Sequence, residues 1–388
     1  MPLVPPLRSA ARLTRRHFLG ASLAFGATGL AGCSMDGFGV GPTTTTGMAP
    51  PVVAPPSAAF TPDSEVIGDG APTIGVLAYD EVGNLSDGTP SAVSQAVKLA
   101  AANFAGKPST IAIRRIDGTA QSLSAALDAL LALKVKAIIG PGEDDAARIV
   151  AAKAGPAGIT VLSLSRAGDV AKRLYGAGIS YDDEAASAIA EAKRLGLAGL
   201  VVVTSRQRGS AALAEAMQRA AATAGIQTVV VSAAVDQLPD GIAKALHGLP
   251  TPVAVFFATS PDTAHAAVAA RGQGLPRDLA VIGNAGWSLT YLSPKDYAGA
   301  WYAGFPLAAS DGFLDRFQAA FSSTPTADAL IAYDLTILAS ALPLTGAQDP
   351  YRADILTSAR GFTGQAGPFS FDSRTGLVHR HYQISRIS

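Results

Sequence analysis

One cysteine, two tryptophans and five histidines in 388 residues leave the chain short of the side chains most used in redox, metal and nucleophilic chemistry. A single thiol, Cys33, excludes an intramolecular disulfide, a CxxC redox pair and a thiolate zinc site. Charged residues make up only 15% of the chain and cancel to a net charge of zero, so the basic surplus that nucleic acid recruits is missing. No GxSxG elbow, HExxH helix, Walker loop or EF-hand loop occurs. The apolar run near the amino terminus, Phe18 to Leu30, is too short to span a bilayer stably.

What is present at that terminus fixes a destination. Arg15 and Arg16 followed by Phe18 and Leu19 form a twin-arginine export signal, read by a translocase that moves folded cargo. The apolar run behind it serves as the h-region of a signal peptide. Leu30-Ala31-Gly32-Cys33 resembles a bacterial lipobox, with a small residue at the peptidase cut and the cysteine as the attachment point for diacylglycerol. Cys33 is therefore the lipidation candidate and residues 1–32 the signal peptide. Their loss removes Arg8, Arg12, Arg15 and Arg16 and no acid, leaving 26 basic residues against 30 acidic ones, a net charge of −4. The mature chain is expected to be a lipid-anchored, periplasm-facing envelope protein. Ser34 follows the anchor and aspartate first appears at Asp36, which under the enterobacterial sorting rule favours the outer membrane over the inner.

Residues 33–72 read as a lipidated flexible tether, because a stretch of Gly, Pro, Thr and Ala cannot bury enough surface to offset its ordering entropy. The GxGxG of Gly37, Gly39 and Gly41 lies inside it with no strand before or helix after, so no phosphate site is assigned there. From Thr73 onward, short Val/Ile/Leu-rich runs alternate with longer Ala-rich segments at helical spacing. Strands are predicted at Thr73–Ala78, Thr110–Ile116, Val135–Ile139 and Thr160–Leu164, then at Leu200–Val203, Thr228–Val231, Val253–Ala258 and Leu279–Ile282. Helices such as Ser122–Leu133 and Ala211–Ala224 lie between them, an alternation that gives parallel sheets with helices on both faces. A core of about 315 residues exceeds one doubly wound domain, so the expected fold class is α/β with two doubly wound lobes. The end breaks the rhythm with helices at Phe313–Phe321 and Ala327–Leu342. A hairpin from Pro368–Phe371 to Leu377–Ile387 follows, turned at Asp372–Gly376.

Thr73-Ile74-Gly75-Val76-Leu77, Ile138-Ile139-Gly140-Pro141, Gly158-Ile159-Thr160-Val161-Leu162-Ser163 and Ala332-Tyr333-Asp334 occur in that order. In order and spacing they resemble the type I periplasmic binding protein superfamily, that of the leucine/isoleucine/valine-binding proteins, over residues 73–388. The resemblance implies two lobes with parallel sheets joined by three crossovers, and a ligand held where the carboxyl ends of the strands meet. On that plan residues 73–180 form lobe 1, 181–305 lobe 2, 306–345 return to lobe 1, and 346–388 return to lobe 2 with the terminal hairpin. In the amino-acid-binding branch a serine follows the Gly-Pro turn and a Ser/Ala-Thr pair follows the fourth strand. Here Gly142-Glu143-Asp144 and Ser163-Leu164-Ser165-Arg166-Ala167-Gly168 stand in those places, and Ser205-Arg206-Gln207-Arg208-Gly209 replaces an aromatic-Gly turn. Glu143 and Asp144 would repel a ligand carboxylate unless a cation intervenes. Val161–Ser165 and the ending Gly361–Phe371, with Gly376-Leu377-Val378 and Arg380 after it, resemble instead the penicillin-binding-protein activator family. That family's envelope lipoproteins are regulators of peptidoglycan synthases.

Strand ends surround the cleft in such a fold, which makes Tyr79, Asp80, Asp144, Ser163, Ser165, Arg166, Ser205, Arg206, Asn284 and Trp287 the ligand-binding candidates. Several of these residue types also cap helices, and Ser260, just before Pro261, reads as a cap. Arg166 cannot accept from backbone amides, so it is assigned to anion recognition or to an ion pair with Asp144. Trp287 either stacks on a ligand or packs in the core. His379 and His381 share a strand face but have no third ligand at zinc spacing, and read as a solvated face. No catalytic residue, metal or cofactor is assigned. The expected function is non-enzymatic recognition, as an activator-like regulator contacting a peptidoglycan synthase. The alternative is the substrate-binding lipoprotein of an ABC permease for amino acids or a related small solute.

Overall fold

The computed structural model describes residues 64–79, 91–104, 109–207, 209–232, 234–290, 292–307 and 312–387, all within the unit Val53–Ser388. The export signal, Cys33 and Asp80 lie outside the described residues. Lobe 1 is built on β1 (Ser64–Ile67), β2 (Thr73–Tyr79), β3 (Thr110–Ile116), β4 (Ala137–Ile139), β5 (Thr160–Ser163) and β6 (Leu174–Gly176), in the spatial order β1-β3-β2-β4-β5-β6. β2 to β6 pair in parallel, and β1 adds an antiparallel edge with Ser64 opposite Arg114 and Ile67 opposite Ile111. Ser64–Ile67 lies within the stretch expected to be tether, yet it forms a strand. Its Ser-Glu-Val-Ile pattern is half polar, and it pairs because β3 offers an open edge with Lys98 bridging to Glu65 at 2.7 Å.

The lobe 1 strands are apolar on both faces because two helical layers cover them. Ile74, Val76, Ala137 and Ile139 pack against α1 (Ala92–Asn103), while Leu77, Ala112, Ile138 and Val161 pack against α2 (Ala120–Ala132) and α3 (Asp144–Ala154). Ser91 and Thr119 cap α1 and α2 by accepting from the amides three residues on.

The chain then crosses to lobe 2 through α4 (Tyr181–Arg194). There β7 (Gly199–Val203), β8 (Gln227–Val231), β9 (Val253–Phe257), β10 (Ala280–Gly283) and β11 (Trp301–Gly304) pair in parallel, in the order β11-β10-β9-β7-β8. α4 and α5 (Ser210–Ala224) cover one face. α6 (Leu238–Leu246), α7 (Pro261–Ala269) and the short α8 (Pro294–Tyr297) complete the lobe, with α6 and α7 on the opposite face.

From β11 the chain returns through α9 (Phe313–Phe321) and α10 (Ala327–Ala341), which packs along α1. The segment Ala327–Thr345 is apolar and long enough to cross a membrane, yet 67% of its most apolar stretch is buried inside the fold, where it serves as a core helix. The remainder departs from the expected boundaries. α11 (Ala353–Leu356), β12 (Phe362–Gly364), β13 (Gly367–Phe371) and β14 (Val378–Arg380) stay with lobe 1, where Tyr351, Leu356, Phe369, Phe371 and Val378 join the cluster around β2 and β5. Only β15 (Gln383–Arg386) reaches lobe 2, antiparallel to β11. The expected hairpin forms between β13 and β14 about the Asp372 turn, but its second arm breaks after Arg380 and its continuation belongs to a different sheet.

β4 ends at Gly140, which takes φ +86° and brings its backbone so close to β2 that a Cβ would lie 2.4 Å from the Leu77 carbonyl oxygen. Gly140→Ala is expected to destabilise the protein by roughly 2–4 kcal/mol, the sum of a left-handed backbone penalty and a clash with an immobile carbonyl. A lowered urea midpoint at unchanged slope checks this.

Candidate functional site

The carboxyl ends of β2, β4 and β5 open on a cleft of about 510 Å³. Tyr79 closes β2, Glu143 and Asp144 start α3, and Ser165 and Arg166 follow β5; Ile179, Tyr181 and Gly209 face them from beyond the crossover. The Tyr79 hydroxyl rests on Gly118, where a Cβ would approach within 2.1 Å of it. The Tyr181 hydroxyl rests in the same way on Gly209, which has φ +82° and would place a Cβ 1.8 Å away. Both tyrosines therefore depend on a facing glycine.

Arg166 is the centre of the lobe 1 rim. Its backbone N–H donates to Asp144 Oδ1 at 2.9 Å, while its guanidinium lies 4.8 Å from the centroid of the Tyr181 ring. Of the two expectations for Arg166, the ion pair with Asp144 gives way to an amide–carboxylate bond, because Tyr181 offers the guanidinium an aromatic face; no anion is present to test the other. Since Tyr181 opens α4, the stack ties lobe 1 to lobe 2.

Other candidates lie elsewhere. Ser163 is fully buried, and its hydroxyl donates to the Pro141 carbonyl at 2.7 Å and sits 2.7 Å from Ser165 Oγ, so it organises the turn after β5 and faces no ligand. Ser165 lines the cleft with its Oγ accepting from Ala167 N. Ser205 accepts from Gln207 N in a local turn and Arg206 is exposed; it is Gln207, Gly209 and Ser210 that line the lobe 2 hollow. Asn284 lines that hollow but is committed to local structure, accepting from Gly286 N and donating to the Thr259 carbonyl at 3.0 Å. Trp287 is wholly buried against Phe257 and Tyr297, its indole N–H donating to Thr259 O at 3.1 Å, so the core reading holds and ligand stacking does not. Ser260 occupies the N-cap position of α7, although its hydroxyl faces Thr263 Oγ1 at 3.5 Å and caps no amide. Among the described residues no group of three or more metal-ligating side chains occurs, and His379 is an exposed neighbour of Asp183 at 3.7 Å.

Two buried charged groups lie outside the ligand-binding candidates, although Asp334 and Arg380 stand in the motifs that carry the family resemblance. Glu184, 1% exposed, lines the lobe 2 hollow and accepts from Ala285 N at 2.8 Å; burial pushes its carboxyl up to about 8, only partly opposed by that amide. A signal existed, since Glu184 falls on the apolar stripe of α4 beside Ala185 and Ala188. The second group is at the crossovers. Arg380, 4% exposed, lies 5.0 Å from the Phe369 ring centroid and 6.0 Å from Phe305, with the charges of Asp334 and Asp183 facing it and no hydrogen bond to its guanidinium nitrogens among the described residues. Asp334 accepts from Gln365 N at 2.6 Å and Ala366 N at 2.9 Å; burial raises its carboxyl to about 6, against those amides and Arg380.

Two expectations follow from this geometry. In a double-mutant cycle of Arg166→Ala and Tyr181→Ala the coupling should be about 0.5–1 kcal/mol, the range of an exposed cation–π contact, whereas Arg166→Ala with Asp144→Ala should be nearly additive because the amide remains. For Glu184, the folded protein holds a proton between about pH 4.5 and 8 that the unfolded chain releases, so its contribution to stability falls as pH rises through that window. Glu184→Gln should flatten that part of the stability–pH curve, measured by urea unfolding at each pH.

Fold and cleft together define a two-lobed α/β protein with a cleft at the carboxyl ends of its parallel strands. A family model described as Periplasmic binding protein matches residues 72–388, and the chain belongs to that family. Membership implies a binding protein of the cell envelope. No curated protein matches the chain. Among solved structures, a putative branched-chain amino acid ABC transporter from Rhodospirillum rubrum is 18% identical with a TM-score of 0.61, over 80% of this chain and 96% of its own. The C-domain of LpoA (YraM) from Haemophilus influenzae, a regulator of PBP1A, is 16% identical with a TM-score of 0.58, over 82% and 98%. The substrate-binding protein LivJ from Streptococcus pneumoniae, in complex with isoleucine, is 18% identical with a TM-score of 0.57, over 81% and 96%. At these identities the likeness is one of fold.

Proposed function

We propose that this protein is a non-enzymatic, periplasm-facing lipoprotein, anchored through Cys33, that regulates peptidoglycan synthesis as penicillin-binding-protein activators do. The observation that carries the reading is the Arg166–Tyr181 stack with Asp144 on the Arg166 amide: the chain's own groups engage one another across the lobes at the strand ends where a solute would be clamped. The fold likeness to the LpoA C-domain supports it. So does reach, since 30 residues separate Cys33 from Ser64, about 100 Å when extended, enough to carry the lobes from an outer-membrane anchor toward an inner-membrane synthase. The second reading, a substrate-binding lipoprotein serving an ABC permease, is favoured by the cleft volume of about 510 Å³. That lies within the ordinary range for small-molecule sites.

The mature lipoprotein should bind a purified bifunctional peptidoglycan synthase of the same cell and raise its polymerisation or cross-linking rate. Leucine, isoleucine or valine should leave its melting temperature unchanged. A true solute at a hundred times its dissociation constant would add about 2.7 kcal/mol of stability, so a clear rise with any of the three moves the assignment to transport. Cys33→Ala should fold and leave the membrane fraction; its retention there without detergent dependence would defeat the lipid anchor.

A further inference from the structure

The crossovers enclose a buried cation that no acceptor holds. Arg380 is 4% exposed, and Nε, Nη1 and Nη2 of its guanidinium are each buried without a hydrogen bond among the described residues. Its surroundings come in matched halves from the two lobes. Lobe 1 supplies the Phe369 ring, its centroid 5.0 Å from the guanidinium carbon, and Asp334 on α10; the lobe 2 side supplies the Phe305 ring at 6.0 Å and Asp183 at the start of α4. Both carboxylates act on the guanidinium through their charge, and neither bonds to it. Tyr382 faces it as well, with Glu184 beyond, and the Tyr382 hydroxyl is likewise buried without a partner among the described residues. Ring faces attract the charge but do not replace acceptors for five N–H groups. Native proteins pair buried polar groups, and one left unpaired marks stored strain.

We propose that Arg380 is a toggle at the pivot of the lobes: its guanidinium exchanges between Asp334 of lobe 1 and Asp183 at the entry to lobe 2, and each pairing sets a different placement of one lobe on the other. The geometry favours exchange over a fixed pair. Asp334 is immobile, because its two oxygens accept from Gln365 N and Ala366 N and Gly364 is so close that a Cβ would lie 2.3 Å from the carboxylate. The Arg380 backbone is tied to the other acid, its N–H donating to Asp183 Oδ2 at 2.9 Å. What remains to move is the side chain, long enough to turn between two acceptors from a fixed Cα. A carboxylate oxygen that accepts from one amide can accept a second bond, so either acid can take the guanidinium fork. Asp183 Oδ1 also has His379 Nδ1 at 3.7 Å, at the exposed end of the same acid. Since Phe305 and Asp183 travel with lobe 2 while Phe369 and Asp334 stay with lobe 1, a change of partner is a change in how the crossovers sit. The inference concerns the pivot and uses neither the synthase nor a cleft ligand, so it stands or falls apart from the proposed function.

The test is pulsed electron–electron distance measurement on the full mature chain carrying Cys33→Ala, with spin labels on Ala132→Cys in lobe 1 and Ala222→Cys in lobe 2, both exposed helical positions. At pH 7.5 the Asp334 carboxyl, raised to about 6 by burial, is ionised. Under that condition the protein with Arg380, Asp334 and Asp183 intact should show two distance populations. Asp334→Asn should shift their ratio tenfold or more toward one population, and Asp183→Asn tenfold or more toward the other, the worth of a charge-assisted hydrogen bond. A cluster that merely stabilises the fold would move both variants the same way or leave both unmoved. The toggle is overturned by a single population in the intact protein, by a shift of both variants toward the same population, or by unchanged ratios. Should either Asn variant fail to fold, NMR relaxation dispersion at Arg380 Nε in the unsubstituted mature chain decides. Exchange between two environments on the microsecond-to-millisecond scale of hinge motion supports the toggle, and a flat profile overturns it.

Discussion

The two-lobed arrangement depends on one buried contact region where the three crossovers touch. Asp183, at the start of α4, accepts from the Arg380 backbone N–H at 2.9 Å; the Arg380 guanidinium faces the Phe305 ring just beyond β11; and Phe305 meets the Tyr382 ring at 5.6 Å. First, second and third crossover are thus in mutual contact, and a turn made of Gly364, Gln365 and Ala366 wraps the Asp334 carboxylate beside them. Gly364 approaches that carboxylate so closely that a Cβ would lie 2.3 Å from it. A cation buried among two carboxylates and two aromatic rings contributes little net stability, because desolvation offsets the attraction. Removing one partner is far more damaging, since the remaining charge would then stand alone. The relative placement of the lobes, and so the cleft itself, is held by groups that tolerate little substitution.

How much of this was legible in the sequence follows from what each segment packs against. The central strands announce themselves because both faces are covered, so Ile74-Gly75-Val76-Leu77-Ala78 or Leu200–Val203 have no polar alternation to confuse them. β1, β6 and β12 do not, being short segments whose polar or glycine content matches a loop as well as a strand. The terminal arm alternated as a strand should, and its inward face of Val378, Arg380 and Tyr382 is indeed buried. Alternation, however, carries no information about which sheet a residue joins, and the arm changes sheets between Arg380 and Gln383.

The site was legible in outline only. A parallel sheet opens its cleft at the strand ends, and of the candidates placed there Tyr79, Asp144, Ser165, Arg166 and Asn284 line hollows. Partners were not legible. Nothing local to Arg166 indicates that its guanidinium meets Tyr181, which is 15 residues on and across a crossover. Ser163 and Trp287 occupy the right positions in the chain, but their side chains turn away from the cleft to satisfy Pro141 and Thr259 carbonyls. Glu184 was hidden for the opposite reason: in an Asp182-Asp183-Glu184 run at a helix start, an acid is what the helix dipole asks for, and only its place on the apolar stripe separates it from its neighbours.

The two halves of the cleft are therefore in different electrostatic states. On the lobe 1 side the charges are spoken for: Asp144 is used by the Arg166 amide, and Asp145 lies 2.8 Å from Arg148 on the exposed face of α3. At the end of β5 the Arg166 guanidinium lies against the Tyr181 face, with Glu143, Asp144 and Asp145 lining the same cleft. On the lobe 2 side a single carboxyl is buried and accepts from the Ala285 amide, in a hollow without basic residues among those described. The two walls therefore differ in how their charges are met, on the lobe 1 side by neighbouring protein groups and on the lobe 2 side by burial and a single amide.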